Sequence, residues 1–280
     1  MRKWILPVLV LGASVFLVPV GADEEAQKLT ATNMAGRNRF LTQKSLKEVL
    51  QVMLAVNVDA SKQDLAKSID TFEKQLAGLV KGDAEMGVPA PSAAVAGELA
   101  KFAPLWKAYR VQLDATLAGK GDLDALLAAN ASLLEQAEAA VKAFEAELKT
   151  KAGPAISRAM RQRMLSQKMA NQIYLIALKK NVDAARQQLQ AVSDTFGQVL
   201  LGFQNGDAAL GLAAAEDPAV RRQLEGVAAT WTGFQPLVKK GLEGGNFSAD
   251  ELAQVAAGST RLLTESNTVC TLLEAAAKGK

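Results

Sequence analysis

Apolar positions recur along most of the chain at intervals of three and four, the spacing of one face of an α-helix. Leu99, Phe102, Leu105, Trp106 and Tyr109 fall on one such face, and Leu126, Leu133, Leu134, Val141 and Phe144 on another. The pattern breaks at Asp59-Ala60-Ser61, at Gly82-Asp83 with Gly87-Val88-Pro89-Ala90-Pro91 behind it, and at Gly119-Lys120-Gly121. Glycine and proline clusters of this kind end helices. Four helical stretches are therefore predicted in the first half. The first runs from about Ala26 to Val56, and the second reaches about Val80 with Asp59 or Ser61 as its N-cap. Ser92 caps the third as one continuous helix, and Asp122 caps the fourth. No run of alternating β-branched residues exceeds a few positions, so the expected class is all-α.

The second half repeats the first. Gly36-Arg37-Asn38-Arg39-Phe40-Leu41-Thr42-Gln43-Lys44 returns as Met160-Arg161-Gln162-Arg163-Met164-Leu165-Ser166-Gln167-Lys168, 124 residues later. At the same offset Asn57-Val58-Asp59 matches Asn181-Val182-Asp183, Asp70-Thr71-Phe72 matches Asp194-Thr195-Phe196, and Gly82-Asp83 matches Gly206-Asp207. Trp106 pairs with Trp231 and Tyr109 with Phe234 at 125, and Ser132-Leu133-Leu134 with Arg261-Leu262-Leu263 at 129. The drift places a small insertion around Gly241-Leu242-Glu243-Gly244-Gly245. Two copies of one domain are expected, 26–151 and 152–277, each an antiparallel four-helix bundle. Pro154 suits the first turn of the second copy's opening helix.

Ahead of the first copy, Met1-Arg2-Lys3 precedes an apolar run from Trp4 to Val18, and Val20-Gly21-Ala22 supplies small residues before Asp23-Glu24-Glu25. This is the anatomy of a signal peptide, residues 1–22, with cleavage after Ala22 and export to the periplasm. An uncleaved N-terminal anchor is the alternative. Arg2 and Lys3 lie in the leader, so the remainder of a chain with 32 basic and 29 acidic residues is nearly neutral, which speaks against a nucleic-acid partner. Histidine is absent and Cys270 is the only cysteine. That removes the commonest general base and metal ligand and any internal disulfide, so neither an enzyme nor a metal or cofactor protein is expected. Cys270 itself reads as a small buried hydrophobe.

The duplicated basic motif is the candidate chemistry. On a 3.6-residue period Asn33, Gly36, Arg39, Phe40 and Gln43 share one stripe of the first helix, and Ser157, Met160, Arg163, Met164 and Gln167 share it in the second copy. Arg37 and Arg161 project nearly opposite and rank second. A guanidinium with a glutamine one turn away presents several donors to a small planar or tetrahedral anion. The same residues would also serve as salt bridges or core.

Asn33-Met34-Ala35-Gly36-Arg37-Asn38-Arg39-Phe40-Leu41-Thr42-Gln43 resembles the opening of the PilJ/NarX-type sensor domain. That is the N-terminal region of type IV pilus chemotaxis transducers and of nitrate-sensing histidine kinases. The family pattern is close to Ala-Gly-Arg-Gln-Arg-Met-Leu-Ser-Gln; the second copy follows it after its first two positions and departs with Met160 in place of Gly. The resemblance implies a periplasmic four-helix sensor input. It also implies that Arg39, in a motif of the form Asn-x-Ala-Gly-x-x-Arg, meets an equivalent arginine at a dimer axis and holds nitrate. Arg163 is that equivalent within the chain, so an internal pseudo-dimer is expected alongside the homodimer alternative, with nitrate or nitrite as candidate ligand. Met160 would oppose close approach of the two helices. The sequence carries no second membrane-spanning helix or signalling module, so a sensor of this kind would hand its state to a separate membrane-bound receptor or pilus component. The competing expectation is a helical scaffold of the envelope or pilus system with no solute ligand.

Overall fold

The computed structural model describes residues 20–278; the expected leader lies almost entirely outside them. Among the described residues there are nine helices and no strand: α1 Val20–Met53, α2 Val58–Lys81, α3 Ala93–Ala100, α4 Phe102–Leu117, α5 Leu123–Glu145, α6 Gly153–Ala177, α7 Val182–Asn205, α8 Pro218–Leu242 and α9 Ala249–Ala277. The first bundle is α1, α2, the α3–α4 pair and α5. The second is α6 to α9.

Two expectations are corrected. The third helix of the first copy divides at Lys101. Pro104 lacks the N–H that would bond the Ala100 carbonyl, and its ring crowds that carbonyl, so α4 starts afresh. Ala229 stands at this position in the second copy, and α8 is continuous there. The N-cap of α2 is neither Asp59 nor Ser61 but Asn57, held at φ 47°. An asparagine tolerates this left-handed turn, and the helix therefore begins early. Asp59 then sits in the first turn, where its charge complements the helix dipole.

The repeat persists in the backbone. Asn181 has φ 48°, and Ala55 and Lys179 have φ 56° and 55°. After α2 and α7 the same small turn recurs, with Asp83 bridged to Val88 and Asp207 to Leu212. Pro154 occupies the first turn of α6. The insertion in the second copy follows α8 and lengthens the start of α9, which Ser248 and Glu251 close with a reciprocal capping box. Each core is anchored by an aromatic pair: Phe72 stacks on Trp106 at 4.1 Å, and Phe196 meets Trp231 at 5.0 Å. Leu126, Leu133, Val141 and Phe144 are buried along α5.

The bundles meet through their opening helices. α1 packs on α2 and α5 of its own bundle and on α6 of the other, while α6 packs on α7, α9 and α1. Both helices are thus enclosed on nearly every side. Between Ala31 and Gln51 only Arg37, Phe40 and Lys44 escape full burial, and between Ala159 and Ile176 only Arg161 and Lys168 do. A helix buried all round is normally apolar all round. These two bury arginine, lysine, glutamine and asparagine, and each such group must find a partner or carry a cost.

Candidate functional site

The seam between α1 and α6 runs parallel and in register. Gly36 lies against Met160, and the Arg163 guanidinium lies 5.5 Å from the centre of the Phe40 ring. Further along, Asn171 Nδ2 donates to the Gln43 carbonyl at 3.0 Å and to Gln43 Oε1 at 3.3 Å, and Gln51 Nε2 donates to the Tyr174 hydroxyl at 3.2 Å. Arg163 thus lies at the seam against α1, and Arg39 is close enough to act on its charge and to feel that of Arg161 on α6.

Met160 does not hold the helices apart. A Cβ placed on Gly36 would lie 2.8 Å from Met160 Sδ and 3.1 Å from Arg163 Nη2. The missing side chain in α1 is the space that the methionine and the arginine of α6 fill. Close approach therefore needs a glycine on one helix only, and the duplicated pair has one member of each kind.

The environments of the two inner arginines differ in one respect. Arg39 is 3% exposed, and its Nη1 donates to Glu138 Oε2 at 3.1 Å. Arg163 is 0% exposed, and its Nη1 donates to Asn267 Oδ1 at 3.1 Å. Glu138 on α5 and Asn267 on α9 are equivalent positions at the offset of 129. The second copy thus keeps the acceptor and drops the charge. Among the described residues no carboxylate lies within ion-pair distance of Arg163. Nε and Nη2 of both arginines are buried without a hydrogen-bond partner.

Electrostatics follow from this placement. Burial pushes the Arg163 guanidinium below its ordinary basicity; the more distant Glu274 opposes that, while Arg37 and Arg39 add to it. Burial lowers Arg39 as well, Glu138 and Glu145 resist, and Arg161 adds to the fall. Arg37 and Arg161 are half-buried at the seam, each acting on the inner arginine of the other copy. Arginine stays protonated in proteins, so the lowered values express the cost of burying charge rather than a loss of it.

The glutamine amide nitrogens are turned to their own bundles. Gln43 Nε2 donates to Asn130 Oδ1 at 2.8 Å and Gln167 Nε2 to the Ser259 carbonyl at 2.8 Å, tying each opening helix to the last helix of its own bundle. Asn33 is buried with Oδ1 unpartnered. Three residues at or beside the seam escaped the sequence reading: Glu138 on α5, Asn267 on α9 and Lys47 on α1. Aligning the halves at 129 sets the first two opposite one another, a signal present once the drift in the repeat was noticed. Lys47 is 3% exposed and reaches Thr260 Oγ1 on α9 at 3.2 Å; burial pushes its pKa down to about 8. Cys270 is fully buried, and burial raises its thiol to about 12. Among the described residues no group of three or more His, Cys, Asp or Glu could hold a metal ion.

No curated protein matches the chain significantly. A family model described as the N-terminal domain of the type IV pili methyl-accepting chemotaxis transducer matches it twice, over residues 28–132 and 147–257. Each match takes in the part of the opening helix that carries the basic motif and ends within the last helix of that bundle. With well over half of its length accounted for in this way, the chain belongs to the PilJ family of sensor input domains, in two tandem copies.

Proposed function

We propose that the protein is an exported, non-enzymatic input module that binds one small anion of the nitrate or nitrite class at the α1–α6 seam, as an internal pseudo-dimer, and passes its state to a separate receptor or pilus component. The observation that carries this reading is Arg163: a fully buried guanidinium, without a carboxylate at ion-pair distance among the described residues, whose Nε and Nη2 have no hydrogen-bond partner. An uncompensated buried cation is costly, and an anion between Arg163 and Arg39 would relieve it with charge-assisted hydrogen bonds. Export is supported by the basic, apolar and small-residue segments of residues 1–22 and by the extracytoplasmic placement usual in the family. No helix among the described residues is long and apolar enough to cross a membrane. A chemotaxis or pilus component as partner follows the family.

A thermal-shift series with nitrate, nitrite, sulfate and small carboxylates tests the ligand. An anion at a hundred times its Kd stabilises by about 2.7 kcal/mol, a shift of several degrees. The wild type is expected to respond and Arg163→Met to stay folded and unresponsive, because an apolar replacement of an unpaired buried charge is tolerated. Silence of the wild type towards every anion would favour the helical scaffold instead, with the arginines as structural contacts.

A further inference from the structure

Glu138 and Asn267 occupy the same place in the two bundles and receive the same bond, Nη1 to side-chain oxygen at 3.1 Å, from the same arginine of the repeat. One supplies a negative charge and the other does not. Two buried cations that act on one another therefore have a single carboxylate within ion-pair distance, and it belongs to Arg39. We infer that this single difference sets the charge of the ligand: the seam accepts one monovalent anion and discriminates against dianions, with Asn267 keeping a unit of positive charge uncompensated and Glu138 cancelling the other.

The inference rests on the reading of the arginine pair as an anion site. Its physical content is charge balance in a dry interior. The charged groups that act on the pair, Arg37, Arg39, Arg161 and Arg163 against Glu138, Glu145 and Glu274, leave one positive charge. A monovalent planar anion brings that sum to zero, whereas a dianion leaves a surplus negative charge among buried groups, where uncompensated charge costs most. The donors for such an anion are in place. Each arginine spends Nη1 on its own bundle and keeps Nε and Nη2, the edge of the fork that accepts a flat anion in bidentate fashion. Glu138 and Asn267 act through the arginines: they are specificity-determining residues because they fix how much charge the guanidiniums have left to offer.

The test is calorimetric titration of the full chain with nitrate and with sulfate, in the wild type, Asn267→Asp and Glu138→Gln. The expected results are nitrate binding at least about tenfold tighter than sulfate in the wild type, loss of nitrate binding in Asn267→Asp with a higher melting temperature without ligand, and a gain of sulfate affinity in Glu138→Gln. If the wild type binds neither anion, the anion reading fails and the inference with it. If the wild type binds nitrate but Asn267→Asp binds it equally well, or sulfate binds as tightly as nitrate, the inference alone is overturned. Should Asn267→Asp not fold, the sulfate-to-nitrate ratio of Glu138→Gln decides: an unchanged ratio refutes the inference, and a shift towards sulfate supports it.

Discussion

The two repeats agree in backbone and differ in charge. Their turns reproduce one another to within a few degrees at Asn57 and Asn181, and the same bridged turn follows α2 and α7. Along the seam the pairs diverge: Gly36 against Met160, Lys47 against Asn171, Glu138 against Asn267. A symmetric seam would place two methionines or two glycines face to face, giving a clash or a void, and would match both arginines with carboxylates or neither. Duplication within one chain frees each position from having to suit its own copy. One helix provides the space and the other fills it; one arginine is neutralised internally and the other is not.

The largest expected effect comes from removing the carboxylate that the second repeat lacks. Glu138→Ala leaves Arg39 buried without its ion pair and should cost about 3 kcal/mol, the lower end for a broken buried pair because Glu138 keeps 23% exposure. Asn267→Ala loses one bond to a cation and should cost about 1.5 kcal/mol. Chemical denaturation of both variants reads the contrast directly, and equal losses would erase the distinction drawn between the repeats.

Lys47 offers the next effect, about 2 kcal/mol. Its folded pKa of about 8 lies below the ordinary 10.5, so between those values the unfolded chain holds a proton that the folded chain has released. Stability should rise with pH across that window, and the penalty is fully present below it. Burial raises the Cys270 thiol from its ordinary 9.0, and the Tyr109 and Tyr174 hydroxyls as well; these act in the opposite sense from about pH 9 upward, so the slope is best read between 8 and 9. Lys47→Met should stabilise the protein at neutral pH and flatten the slope; a slope retained in that variant would assign it to other groups.

Gly36→Ala should cost about 1.5 kcal/mol by overpacking against Met160. Combining it with Met160→Ala should cost less than the two single losses together, and strict additivity would show that the residues do not share space. The smallest effect is a gain. Ser266 is buried with its hydroxyl unpartnered, where the first repeat has Ala137. Ser266→Ala should stabilise by about 1 kcal/mol, visible as a raised melting temperature.

Much of the fold was legible because it rests on local signals. The register of the repeat, the caps at Ser92 and Asp122 and the glycine breaks all act within a few residues. Lys101 eluded that reading because a single proline weighed against an otherwise continuous apolar face. The site was legible in part. Periodicity separated Arg39 and Arg163 from Arg37 and Arg161, yet it could not show that the glutamines on the same stripe would bond to α5 and α9. Nor could it show that Arg37 and Arg161 would lie at the seam beside the other copy's arginine. Those facts depend on which helix packs against which face, and a periodicity reports only that a face exists. Met160 was misread for the same reason: its size mattered only relative to the residue opposite.

The parallel alignment of α1 and α6 also bears on the order of folding. Antiparallel neighbours such as α1 and α2 are joined by a short turn and can pair early. The contact between Gly36 and Met160 closes a loop that contains the whole of α2 to α5. Pairings of such long sequence separation form slowly, because closure entropy must be overcome before the contact can contribute. The seam belongs with the Arg39–Glu138 and Arg163–Asn267 bonds that close the two bundles, all of comparable sequence separation, and is expected to form with them and after the local turns.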